Sequence, residues 1–584
     1  MAIGKTSSTR NQTNTSDEFS FWLASDEKVN PTDIVVVNNS DGSKTYGLIT
    51  RIENLSDSES HLDNFVSYDF GDATTIPRTS RLSTNVARCV VLKNDQNSYM
   101  PVIGGCNVDF ADENGILEAL GIGEVKDADP NFLPLPAGVI ELSNGTQASA
   151  IIDARYLLGP EGAHFNISGI SGLASKTSYA MFLLNVLLQQ YGNDTAVIIF
   201  NVKQDDLLYL DQSVSQITDE EKQVWEKLGA KPSPFNNVYR FCPRGILGRH
   251  SSLQTVSNTY SSESLNHQRY SYSLNNIKDK ISYLFTDVFK SDTRGALEAL
   301  ISDIEEDLIA GKLSCHTFED LLNHFAPTKD RSGKWKNVSY HGHTGSTIGK
   351  FRRLLKFFVK TGTTGLFSDN KETNDVSIAQ YIDVIREDQI YVIDIAKLND
   401  VERSFVVGDV VNEVQRLFSR DITYRDIDHR VRQQAFENIH PDDLDDPVEP
   451  LKKLIFFVDE LNKYAPSGRE ITPILRNLLE ITERGRSLGV ILMGVEQFAS
   501  DIHPRVVGNC SNKVYGRSDS TELSDQAYRH IPNDLKSLIT RLDKGKLLLQ
   551  HPLYRQPVQI RFPKPVYRQP SSQPPKSNEN TEEK

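Results

Sequence analysis

Residues 165–191 read FNISGISGLASKTSYAMFLLNVLLQQY, and the order of residue types along them decides the fold. Phe165–Ser168 is a short apolar strand candidate. Gly169 and Gly172 then turn the chain, and Lys176-Thr177-Ser178 open an apolar helix. A strand that stops in a glycine-containing turn and restarts as a helix aims backbone N–H groups and a helix N-terminus at one point. That is a cradle for phosphate charge. In such a cradle a lysine neutralises the outer phosphate oxygens and the next hydroxyl ligates Mg²⁺. Those roles fall to Lys176 and Thr177, with Gly169, Gly172, Ser175 and Ser178 completing the loop. The GxxxxGK[ST] spacing wants glycine at 170 and 175, where Ile170 and Ser175 stand. Counted from Gly169, the loop is one residue longer than that form. Taken alone, the segment reads equally well as a strand–turn–helix junction with a solvated lysine.

Its context decides. Residues 454–466, LIFFVDELNKYAP, are an apolar strand ending on Asp459-Glu460. Phosphoryl transfer needs this pair: the aspartate holds Mg²⁺ through water, and the adjacent glutamate polarises the attacking water. Next comes a helix with apolar Ile471, Ile474, Leu475, Leu478 and Leu479 on one stripe, capped at Gly485. The strand Val490–Gly494 follows and finishes on Glu496-Gln497. A polar side chain there, Gln497, can sense the outer phosphate or orient water. Arg484 and Arg486 can bind phosphate of the same or a neighbouring subunit; the other reading makes them partners of the helix C-terminal dipole. A second glycine-rich run, 341–350 (HGHTGSTIGK), ends in Gly-Lys. No apolar strand precedes it and Phe351 follows the lysine, so it reads as the loop before a basic helix, Lys350–Lys360.

Outward from these motifs, the strand candidates Val197–Phe200, Ile390–Ile395 and Lys546–Gln550 join those above. All are short and apolar, as strands buried on both faces of a parallel sheet must be. The expected fold is therefore α/β, a RecA-like P-loop core over 161–562, interrupted by a helical block at about 262–360. Before it, strand-like runs at Asp33–Val37, Thr45–Ile52, Asn64–Tyr68 and Ala87–Leu92 suggest a small β-barrel or sandwich over 26–110. Residues 111–160 read as a connector. The polar N-terminus (1–25, polar through residue 17) and the Pro/Ser-rich end (563–584) read as disordered tails.

With 584 residues, 38% hydrophobic and 24% charged, the chain is an ordinary multi-domain globular protein. No apolar run approaches the roughly 18 residues of a membrane span, and the N-terminus lacks a signal-like apolar core, so no membrane partner is expected. Five scattered cysteines without metal-ligand spacing fit a reducing compartment, with the cytoplasm as the expected location. A net charge of −14 means that any nucleic acid must be met by a local patch.

The runs DELNKYAP (459–466) and ERGRSLGVILMGVEQFASDIHPRVVGNCSNKVYGR (483–517) resemble the HerA branch of the HerA/FtsK superfamily. The resemblance carries Asp459 and Glu460 over as the Mg²⁺ and catalytic pair. It makes Arg484, Gly485, Arg486 and Gly489 the signature before the strand, and Gln497 the sensor glutamine. Pro466, Pro504, Asn509 and Cys510 keep step with the family pattern. The chain departs from it at Leu461-Asn462, where the family has Ala-His, and in the lengthened phosphate loop; these departures bear on the rate of hydrolysis. The 26–110 region is similar to the family's N-terminal barrel, and the helical block to its inserted bundle. The resemblance implies an ATP- and Mg²⁺-dependent homohexameric ring that threads double-stranded DNA through its pore. Such a ring acts with a separate nuclease or NAD-consuming effector protein in DNA end processing or antiphage defence. Arg484 and Arg486 would then complete an ATP site between subunits, and Lys463 and Arg469 are candidates for the pore. A second reading is a nucleotide-binding ring scaffold that assembles and regulates an effector with little translocation. A third, a protein-remodelling ATPase, fits the 483–517 run less well.

Overall fold

The computed structural model describes residues 2–569 except 73, 75–80, 124, 126–128, 171, 173–175, 204, 215, 246–265, 290–294, 330–332, 334, 337, 361–364, 370–374, 420, 437–438 and 469–471. Ser175, Arg469, Ile471 and the tail from 570 onward lie outside the described residues.

Six strands close an N-terminal barrel: β1 (Gly4–Ser7), β2 (Glu18–Leu23), β3 (Ile34–Asn38), β4 (Lys44–Ser56), β5 (Ser83–Asn94) and β6 (Asn107–Phe110), in the order β1-β2-β5-β4-β3-β6. Alternate residues such as Phe19, Phe21, Val35, Val37 and Ile49 fill its interior, the period-2 pattern of a sheet with one buried face. Two expectations are corrected here. Residues 4–7 are not a disordered tail: β1 pairs with both β2 and β6 and so removes the barrel's open edges. Backbone hydrogen bonds hold it, which a polar composition does not reveal. Asn64–Tyr68 is not a strand but the end of the helix His61–Ser67 with its C-cap Tyr68, and the Ser60 side chain caps the start by accepting from the Asp63 N–H.

The remaining chain builds one 13-stranded sheet. In chain order its strands are β7 (Pro134–Glu141), β8 (Gln147–Asp153), β9 (Phe165–Ser168), β10 (Ala196–Asn201), β11 (Val238–Pro243) and β12 (His267–Tyr270). A separate two-stranded hairpin, β13 (Thr328–Lys329) with β14 (Trp335–Lys336), comes next. The sheet resumes with β15 (Asp375–Val376), β16 (Ile390–Asp394), β17 (Leu454–Asp459), β18 (Val490–Glu496), β19 (Asn512–Tyr515), β20 (Lys546–Gln550) and β21 (Val558–Arg561). Their order is β15-β12-β11-β16-β10-β17-β18-β9-β19-β20-β21-β7-β8. Every pairing from β15 through β19 is parallel, and those from β19 through β8 are antiparallel. Alternate residues of one strand enter opposite cores. Phe456 and Val458 pack with the helices on one face, Ile455 and Phe457 on the other. That double burial is why these strands are apolar throughout.

Several boundaries read from the sequence change. The supposed connector supplies β7 and β8, which extend the main sheet. Lys546–Gln550 is a strand as expected, but an antiparallel one. The helical block has its helices (Ala296–Ile309, Phe318–His324, Gly345–Lys360), yet it begins with β12, paired in the sheet. Residues 345–349 belong to the basic helix rather than to the loop before it. The preceding turn is pinned by His341 and His343 to Asp307 and Asp303 at 2.8 and 2.6 Å. The C-terminal stretch is not a loose tail from 563: Val566 and Tyr567 are buried, and Tyr567 bridges to Ser213.

The helix after β17 spans Pro473–Leu488, with Thr472 as N-cap. Its C-cap is Gly489 at φ 83°, whose N–H donates to the Gly485 carbonyl; Gly485 itself lies inside the helix. Gly485 is there for closeness: a Cβ on it would stand 2.2 Å from the Val490 carbonyl oxygen. Gly485→Ala is therefore expected to lower unfolding free energy by about 2–3 kcal/mol through overpacking. Gly508→Ala, in open space on the helix Pro504–Asn509, should not destabilise. Chemical denaturation midpoints of the two variants check the contrast.

Candidate functional site

Parallel strands deliver their C-terminal ends to one edge of a sheet, where the following loops gather. Here that edge collects the ends of β9, β10, β17 and β18. The phosphate-loop strand β9 does not pair with β17, the acidic strand; β18 lies between them. The residues brought together come from positions near 169, 203, 459 and 496.

The loop after β9 is anchored at its start, to the segments that follow β18 and β19. The Gly169 N–H donates to the Gln497 carbonyl at 3.2 Å and the Ile170 N–H to the Arg517 carbonyl at 2.8 Å. Gly169 has φ 147° and Gly172 φ 83°, conformations that side-chain-bearing residues rarely adopt, so these two glycines shape the loop. The helix Lys176–Tyr191 then starts at the lysine. Lys176 is buried, and its ammonium donates to the Gly169 carbonyl across the loop. Burial pulls that ammonium below the usual lysine value, against the attraction of Asp459.

Thr177 and Asp459, 282 residues apart, meet: the Thr177 hydroxyl donates to Asp459 Oδ2 at 3.3 Å. Asp459 Oδ1 accepts from the Glu460 N–H at 2.8 Å. Glu460 sits at φ 56°, ψ 44°, a left-handed conformation that costs a non-glycine residue energy and turns its side chain off the strand's alternation. Both of its oxygens are engaged, Oε1 by Lys203 at 3.1 Å and Oε2 by Lys463 at 2.6 Å. Burial favours its neutral form, but the two ammonium groups outweigh it and hold Glu460 below the usual glutamate value. Lys203 also reaches Asp459 Oδ2 at 3.5 Å. Burial opposes its charge, and the attraction of Asp459 and Glu460 nonetheless raises its pKa above the usual lysine value.

Sequence reasoning passed over Lys203. It stands two residues past β10, which pairs directly with β17. The lysine after that strand was visible, but the adjacency of the two strands was not. Lys463, an expected pore residue, instead points back to Glu460. Glu496 is fully buried, and burial holds its carboxyl well above the usual carboxylate range despite the nearby Asn166 amide and Lys176. Among the described residues neither of its oxygens, nor the Asn166 side chain, has a hydrogen-bond partner of good geometry. Gln497 lies at the same edge, with its side chain exposed and its carbonyl on the phosphate loop. Ser178 is half-buried in the first helical turn.

Arg484 and Arg486 are elsewhere. They lie in the last turns of a helix that runs antiparallel to β18, beside His164 and Gly159, which precede β9. β18 has 7 residues, so that end is about 20 Å from the phosphate loop. Arg484 is 74% exposed and pairs only loosely, at 3.6 Å, with Glu480. Neither arginine reaches the site of its own chain.

The donor set fits a nucleotide triphosphate with a hard cation. It offers a buried ammonium held by a loop carbonyl, a helix N-terminus behind a glycine turn, and a hydroxyl beside a carboxylate, both oxygen ligands suited to Mg²⁺. Among the described residues no helix is long and apolar enough to cross a membrane.

No protein-family model and no curated protein matches the chain. Solved structures similar to it include VirB4 of Thermoanaerobacter pseudethanolicus, 15% identical over 74% of this chain and 97% of that one, with a TM-score of 0.43. The bacterial conjugative coupling protein TrwB is 12% identical over 77% of this chain and 93% of that one, at 0.41. The genome packaging NTPase B204 of Sulfolobus turreted icosahedral virus 2, in complex with ATP-gammaS, is 13% identical over 30% of this chain and 67% of that one, at 0.20.

Proposed function

We propose that the protein is an ATP-driven, ring-forming DNA translocase of HerA type that serves a separate effector polypeptide, a nuclease or an NAD-consuming enzyme. The observation that carries the reading is the meeting of Thr177 with Asp459, at 3.3 Å, between the lysine of the phosphate loop and the strained Glu460.

When bound, MgATP supplies the transferable phosphoryl group and a cation that spreads the charge on its oxygens. The chain's own residues do the rest. Lys176 gives up the Gly169 carbonyl for the β/γ oxygens. Thr177 and Asp459 hold the cation side. Glu460 orients the attacking water and accepts its proton. Clamped by Lys203 and Lys463, Glu460 is a weak base; Lys203 would turn to a phosphate oxygen and so release one carboxylate oxygen. Gln497, at the end of the intervening strand, takes the role of reporting the outer phosphate, and its carbonyl accepting from the Gly169 N–H supports that reading.

The test is ATP turnover by the full chain with and without duplex DNA, beside Lys176→Ala. The parent should turn over ATP faster with DNA, and the variant should lose nucleotide affinity at least ~100-fold, because charge-assisted contacts are worth about 1.5–3 kcal/mol each. Unchanged affinity in Lys176→Ala removes the site assignment. Turnover indifferent to DNA, in a protein that still assembles, favours the scaffold reading instead.

A further inference from the structure

The helix Gly345–Lys360 carries Lys350, Arg352, Arg353, Lys356 and Lys360 and no acidic residue, in a chain of net charge −14. One face is committed to the protein: Ile348, Phe351, Leu355 and Phe358 pack into the core of the helical block. Arg352 is committed too, donating to the Leu322 carbonyl at 2.9 Å. The other face is not. Arg353 and Lys356 are exposed and Lys350 partly so, and none of the three has an ion pair or hydrogen bond among the described residues. Between them stands Phe357, 61% exposed. Positions 350, 353 and 357 fall on one helical face over about 10 Å. Like charges three residues apart cost a few tenths of a kcal/mol each, and no described residue offsets that here. The arrangement makes sense if the counter-charge comes from outside.

We infer that this face of the helix is a contact surface for the phosphodiester backbone of a nucleic-acid strand. Lys350, Arg353 and Lys356 pair with phosphates, and Phe357 stacks on an unpaired base. The inference rests on the translocase reading and assigns it a surface. A basic helix can also lie on an anionic membrane, but that mode needs a free apolar face, and here the apolar face is buried in the protein's own core. A second platform of the same kind precedes the helix. In the hairpin of β13 and β14, Trp335 is 70% exposed and the Lys329 ammonium stands 5.1 Å from its ring. Exposed aromatics among cations bind single strands by stacking plus charge.

The experiment is fluorescence anisotropy of labelled single-stranded and duplex oligonucleotides with the full-length protein over a salt series. Lys350→Gln/Arg353→Gln/Lys356→Gln should bind both at least tenfold more weakly at low salt. Its log-affinity against log-salt slope should flatten by roughly two to three phosphate contacts. Phe357→Ala should weaken the single strand roughly tenfold and leave the duplex unchanged. DNA-independent ATP turnover stays at the parent level in both, which shows that they are folded. Should the triple variant lose that turnover, Lys356→Gln alone, with a slope flattened by about one, decides the question. If the parent binds oligonucleotides and the variants bind equally well with the same slope, the inference is overturned and the translocase reading stands. If the parent binds neither oligonucleotide, both fail. Binding of the parent only to phosphatidylserine vesicles overturns the inference in favour of a membrane surface.

Discussion

Arg484→Ala/Arg486→Ala is expected to bind ATP as tightly as the parent and to lose turnover by a factor on the order of 10³–10⁵, the range of an arginine supplied between subunits. The expectation comes from where these residues are. Both lie at the edge of the sheet opposite the phosphate loop, about the length of β18 away, so neither can assist its own chain's site. They are exposed, and Arg484 has only a 3.6 Å pairing with Glu480, so both are available to a neighbour. The shared site requires a ring in which one subunit's opposite edge faces the next subunit's nucleotide. Mixing decides it: arginine-variant subunits have intact phosphate loops, and Lys176→Ala subunits have intact arginines. Mixed rings should regain turnover that neither parent variant has. If the double variant hydrolyses ATP normally, or if the protein with ATP and Mg²⁺ stays monomeric at micromolar concentration, the shared site is wrong.

Glu460→Gln should keep ATP bound and slow hydrolysis roughly 10²–10⁴-fold, the contribution of one positioned general base. Glutamine keeps the shape, but its single carbonyl oxygen can accept from only one of Lys203 and Lys463, so the other lysine must turn away from the amide NH2. It also lacks the charge that draws a proton from water. The left-handed backbone at 460 is retained, since the strain lies in the main chain and not in the carboxylate. Single-turnover hydrolysis with a parallel nucleotide-affinity measurement separates the two effects. Parent-like turnover would move the catalytic carboxylate elsewhere. Glu496 is then the nearest candidate, although burial pushes its carboxyl well above the usual carboxylate range and keeps it from water. A variant that loses affinity as well as rate would mean that Glu460 organises the site rather than acting in it.

Most of the candidate site was legible in the chain because each part is local. Strand, glycine turn and Lys-Thr lie within 14 residues, 165–178, and the apolar strand carries its own Asp-Glu end. Double burial writes itself into composition, so the parallel strands β9, β10, β16, β17 and β18 could be read from their apolar runs. Strand order is different. Nothing in residues 196–203 says that β10 lies beside β17, and so nothing marks Lys203 as a partner of Asp459 and Glu460. Strands held mainly by backbone pairing leave the weakest trace. β1 is polar and short, yet it closes the barrel, because hydrogen bonds between main chains are indifferent to side-chain type. Gly485 shows both levels at once. A glycine near the end of a helix suggests a cap, but its actual place is set by the Val490 carbonyl pressed against it. By itself, then, the sequence marked Lys176, Thr177, Asp459 and Glu460 as candidates and placed them at strand ends. The tertiary structure alone decided which strands are neighbours, and that the arginines face away, because long-range contacts depend on the path of the whole chain and not on any window of it.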